Sequence, residues 1–104
     1  MLHETVLGVL PFPIANTPGQ GALVLRRVTP SRNQAIIYHN PLAPGRHAAG
    51  RVTAVPGERG LRSGQLWVDC EDSTAAGVDS TQFGALPASL VVGAPLLYFP
   101  SPFA

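Results

Sequence analysis

Gly64-Gln65-Leu66-Trp67-Val68-Asp69-Cys70-Glu71-Asp72, followed by Asp79-Ser80-Thr81-Gln82-Phe83-Gly84 and then by Leu90-Val91-Val92-Gly93, decides how this chain is read. Residues 65–69 alternate polar and apolar side chains, the period of two expected of a half-buried strand. Residues 71–81 are polar and small, which reads as a surface loop. Residues 89–92 and 95–99 return to branched and aromatic side chains as the last strands, with Gly93 between them as a bend or bulge.

Working outward, residues 5–10 form an apolar stretch that runs into Pro11-Phe12-Pro13, a strand leaving its sheet at the first proline. Residues 16–21 (Asn-Thr-Pro-Gly-Gln-Gly) are turn chemistry. Residues 22–28 and 34–39 read as two strands joined through 30–33. Residues 40–49, with Pro41, Pro44 and Gly45, read as a loop, and residues 50–55 as a strand closed by Pro56-Gly57. No window sustains a helical period and no repeat is present. The fold expected is a single all-β domain over residues 1–104, mostly antiparallel and partly closed like a barrel.

Composition narrows the chemistry. The 104 residues suffice for one modest core, and 12% charged residues against 45% hydrophobic ones argue against disorder. Eleven glycines and eleven prolines favour short strands and turns. All seven basic side chains are arginines, so the chain has no lysine and no ε-amine to act as a general base. A net charge of +1 gives no electrostatic case for a nucleic-acid partner. One cysteine, Cys70, excludes an internal disulfide. No apolar run approaches the ~20 residues that span a bilayer, and residues 6–10 lack the basic flank of a signal peptide. A cytoplasmic location and no membrane attachment are the expectation.

Individual reactive groups read modestly. His3, His39 and His47 show no local metal-ligand spacing, so no metal and no cofactor are expected. His39 follows Tyr38 at a strand end. Asp69, Glu71 and Asp72 surround Cys70 and would raise its pKa, which favours a structural thiol. Gly19-Gln20-Gly21 is a turn without a phosphate-cradling context.

The quoted stretch resembles the C-terminal signature of the signal-peptidase (S26) family, which runs roughly G-x-x-W/F-V-x-G-D-N, a short loop, then S-x-D-S-R-x-F/W-G-x-V-P-x-x-x-I-x-G. Phe99-Pro100 is similar to the aromatic-proline pair that ends it. Arg51-Val52-Thr53-Ala54-Val55-Pro56-Gly57-Glu58 resembles the family's K-R-V-x-x-x-P-G-D/E box, and Gly8-Val9-Leu10-Pro11-Phe12-Pro13 can be laid on G-x-S-M-x-P. The resemblance covers most of the chain in order. It implies the small β-domain of the signal-peptidase and LexA-type peptidases.

The departures fall on the catalytic chemistry. In the family a serine attacks the scissile carbonyl and a neutral lysine takes its proton. The serine position falls on Leu10, or on Pro11 if the alignment slips, and the lysine position falls on Gly50. The supporting serine becomes Gly77, the arginine after Asp-Ser becomes Thr81, and the G-D-N turn becomes Cys70-Glu71-Asp72. Asp79, Ser80, Phe83 and Gly84 persist, and Asp79 and Ser80 are expected to shape the loop by hydrogen bonds. Within these residues the family's membrane anchor and cap region have no counterpart.

No Ser/Lys proteolysis is therefore expected. Leu10 and Gly50 imply a small apolar recess, with Leu10, Phe12, Tyr38, His39, Gly50 and Asp79 as candidate ligand-binding residues. The leading reading is a non-proteolytic binding module that holds a peptide or an extended small-molecule ligand in the former substrate groove. A second is a small repurposed enzyme of the cyclase or isomerase type in a biosynthetic pathway. A third is an inactive partner subunit of an active homologue. Homo-oligomerisation is left open.

Overall fold

The computed structural model describes residues 7–14, 19–26, 29–70 and 79–103. Seven antiparallel strands are ordered β1-β2-β7-β3-β4-β5-β6. They are β1 (Leu7–Leu10), β2 (Gln20–Leu25), β3 (Ala35–His39), β4 (His47–Ala54), β5 (Gln65–Asp69), β6 (Leu86–Pro87) and β7 (Val91–Pro100). One helical turn, α1 (Ser80–Phe83), and a 3-10 turn at Ala88–Leu90 complete the described chain. The all-β, antiparallel expectation holds. The sheet curls without closing, because β1 and β6 remain its two outer strands. Among the described residues no helix is long and apolar enough to cross a membrane.

β3 lies at the centre of the core and explains its contiguous Ile-Ile-Tyr run. Ile36 and Tyr38 face a cluster with Ala48, Val52, Leu66, Val68 and Leu86, while Ile37 faces a second cluster with Ile14, Ala22 and Val24. A strand covered on both faces has no polar side and loses the alternation of a surface strand. β5, covered on one face, keeps it: Leu66 and Val68 are buried, whereas Trp67 lies outside beneath the Arg59 guanidinium, 4.3 Å from the ring centre.

Three expectations are corrected. β4 begins at His47, so the loop expected over residues 40–49 shrinks to 40–46. Pairing with Tyr38 buries Ala48, pairing with Ile37 leaves Ala49 half-buried against the second cluster, and the shortened loop is closed by Asn40 N–H donating to the Arg46 carbonyl at 3.0 Å. The two final strands are one, β7, which pairs with β3 through Val91 and Gly93 and with β2 from Ala94 to Pro100. Gly93 sits at this handover, where a Cβ would stand 2.4 Å from the Leu25 carbonyl oxygen. Pro95 is tolerated just beyond it because β3 no longer needs an N–H there. The third correction is α1, which forms at the end of a segment read as loop. Residues 5–6, 16–18, 27–28 and 71–78, parts of two expected strands, the turn at 16–21 and the acidic loop, lie outside the described residues, as do His3 and Gly77.

Register shifts between Leu23 and Val24, Ile37 and Tyr38, and Val52 and Ala54 interrupt three ladders. Such bulges bend and twist a strand, which accounts for the curl that brings both core clusters onto β3.

Candidate functional site

Tyr38, Gly50, Cys70, Asp79 and Ser80 converge where β3, β4, β5 and α1 meet. Gly50 occupies the position that the resemblance assigns to the lysine. A Cβ built there would lie 3.2 Å from the Tyr38 hydroxyl, 3.2 Å from its ring and 3.2 Å from the Asp69 carbonyl oxygen. The Tyr38 phenol is fully buried and holds the space over the glycine. On that side the expected recess is filled by protein.

The Tyr38 hydroxyl reaches the Cys70 thiol at 3.8 Å, and the thiol donates to the Ala49 carbonyl at 3.5 Å. Burial, then the neighbouring Cys70, pushes the phenol well above the ordinary tyrosine range, so it stays protonated. The ring packs edge-on against Phe83 of α1, with centres 6.2 Å apart.

Asp79 and Ser80 are both committed to backbone. The Asp79 carboxylate caps α1 by accepting from Thr81 N–H at 3.1 Å and also accepts from Cys70 N–H at 3.2 Å. Burial pushes this carboxyl up, but the hydrogen bonds from the Thr81 hydroxyl and the two N–H groups outweigh it and hold it below the usual range. Ser80 is buried and its Oγ accepts from Val68 N–H at 2.9 Å. The Asp-Ser pair therefore locks the end of β5 to α1, the loop-shaping role expected from sequence.

The other candidates lie elsewhere. Leu10 ends β1 and packs with Ala49 against the second cluster. Phe12 is exposed and stacks on Phe103, ring centres 4.6 Å apart. His39 is exposed and faces His47, its register partner on β4. The structure thus joins Tyr38, Gly50 and Asp79, and separates them from Phe12 and the histidine pair. Sequence reasoning left out Cys70 and His47 from the candidates. Alternation along β5 could have placed Cys70 on the inner face with Leu66 and Val68, but its nearness to Gly50 depended on the β4–β5 register and His47 on the β3–β4 register.

At its outer edge the sheet presents a different surface. β1 pairs with β2 on one side and no other described strand covers it. Leu7 and Val9 point outward, 58% and 62% exposed, while Leu10 turns toward the core. Register places Val9 opposite Leu23 and Leu23 opposite the exposed Leu97, so an apolar row crosses three strands.

Fold and site define an antiparallel β-domain with a filled, hydrogen-bonded centre and an open apolar edge strand. No protein-family model, curated protein or solved structure matches the chain.

Proposed function

We propose that the chain is a non-proteolytic, signal-peptidase-like binding module that takes an extended apolar peptide along the free edge of β1. The observation that carries this reading is the outermost position of β1 with Leu7 and Val9 exposed. An added strand gains main-chain hydrogen bonds along that edge, and its alternate apolar side chains extend the Val9–Leu23–Leu97 row. By the resemblance, such a peptide would pass Leu10, at the position given to the nucleophile, while Gly50 lies apart on β4 beneath Tyr38 of the other cluster. Ser80, the serine of the central cluster, is buried against Val68 N–H, and the Tyr38 hydroxyl of the same cluster is buried and held protonated. Binding without cleavage follows.

The test is a titration of 15N-labelled protein with a panel of extended apolar peptides. Amide shifts concentrated at Leu7–Leu10 and along β2 are expected. Charges on an edge strand discourage strand addition, so the double variant Leu7→Lys, Val9→Lys should weaken binding by about tenfold or more, roughly 1.4 kcal/mol. A variant that binds as the parent does, or peptides that leave β1 unperturbed, would overturn the proposal.

A further inference from the structure

His39 and His47 are direct register partners at the open end of the β3–β4 hairpin. The neighbouring Asn40 N–H donates to the Arg46 carbonyl, which makes residues 40 and 46 a hydrogen-bonded pair. Hydrogen-bonded and non-hydrogen-bonded pairs alternate in an antiparallel ladder, so His39 and His47 form the closer, non-hydrogen-bonded kind. Their ring centres are 4.8 Å apart with planes inclined at 40°.

That separation matches shared ligation. With metal–nitrogen bonds of about 2.0–2.1 Å and each ring centre about 1.2 Å behind its ligating nitrogen, two imidazoles have centres about 4.6 Å apart at a right angle and about 5.3 Å apart at a tetrahedral one, which bracket the observed 4.8 Å. From this geometry we infer that His39 and His47 form a two-histidine chelate for a divalent first-row transition metal. Strand pairing holds both Cα positions, so only side-chain torsions need to adjust when the metal enters. His39 is exposed and His47 half-buried, which leaves the pair accessible from solvent. Among the described residues no group of three or more His, Cys, Asp or Glu side chains is placed to hold a metal. The pair therefore supplies two ligands, and the remaining coordination positions go to water or to a ligand's donor atom. This inference does not depend on the peptide-binding reading, because it uses neither β1 nor the apolar row.

The experiment titrates the full chain with Cu²⁺, Ni²⁺ and Zn²⁺ salts, following histidine ring resonances by NMR and heat by calorimetry. Stoichiometry of one, simultaneous perturbation of His39 and His47, and tighter binding of Cu²⁺ than of Ni²⁺ or Zn²⁺ are expected in the His3→Ala background, which removes the separate copper and nickel chelate that a free Met1-Leu2-His3 amine would form. In that background His39→Ala and His47→Ala should each abolish the site, whereas His3→Ala itself and Cys70→Ser should keep it. Thermal midpoints of the metal-free variants are compared first; should an alanine variant fail to fold, its asparagine counterpart takes its place. Metal binding that survives the loss of His39 or His47 in that background, or that disappears with His3 or Cys70, overturns the inference.

Discussion

The Tyr38 hydroxyl lies 3.2 Å from the point where a side chain on Gly50 would begin. Tyr38 thus fills the volume beside Gly50, and the glycine is what makes room for it. Gly50→Leu should overpack this contact and cost about 1–3 kcal/mol. In a domain of this size each kcal/mol lowers the melting midpoint by about 4–8 °C, which calorimetry would read directly. An unchanged midpoint would mean that the space over Gly50 is open.

Ser80→Ala should destabilise the fold by about 1–3 kcal/mol, because the buried Val68 N–H loses its acceptor. The parent protein should show no cleavage of signal-peptide or generic peptide substrates. Turnover that persists after purification and vanishes in Ser80→Ala would contradict both the buried role of this hydroxyl and the non-proteolytic reading.

Gly93→Ala tests the handover of β7 between two partners. Its Cβ would meet the Leu25 carbonyl at 2.4 Å, a backbone atom that cannot rotate aside. A loss of about 2 kcal/mol or more is expected from chemical denaturation, since relief requires moving β2 or β7.

Asp79→Ala removes the cap of α1 and should cost about 0.5–2 kcal/mol. The carboxyl titrates below its usual range in the folded protein, so the stability it contributes is present above the unfolded pKa of about 3.9 and is lost as pH falls through the folded value. Denaturation curves of the parent and Asp79→Ala should therefore converge at low pH.

His47 gives a pH effect with the same direction and another origin. Its folded pKa is lowered by burial and by His39, so an unfolded chain binds the proton more readily. Stability should be full above about pH 6.5 and decline as pH falls through that value toward the folded pKa. NMR should place the His47 titration below the ordinary histidine value. A titration at or above it would refute the burial argument.

Much of this was written locally. The alternation of residues 65–69, the turn residues and the prolines determined an all-β chain of short strands, since side-chain period and backbone restriction are properties of a few neighbouring residues. The absence of lysine removed Ser/Lys chemistry by composition alone. The hydrogen-bonding role of Asp79 and Ser80 was expected from the resemblance; only the Asp79 cap on Thr81 N–H is local, and the bonds to Val68 and Cys70 needed the fold.

What the sequence left undecided depends on register and curl. Whether Gly50 opens a recess or is covered turns on Tyr38 standing across the β3–β4 ladder and facing inward. His39 and His47 are eight positions apart and match no local ligand spacing, yet the hairpin register sets them side by side. Val9, Leu23 and Leu97 become one surface only because β7, from the far end of the chain, inserts between β2 and β3. Strand pairing brings distant residues together through backbone hydrogen bonds that every residue but proline can offer. Side-chain identity therefore specifies the strands, and packing of the two buried clusters selects which edges meet.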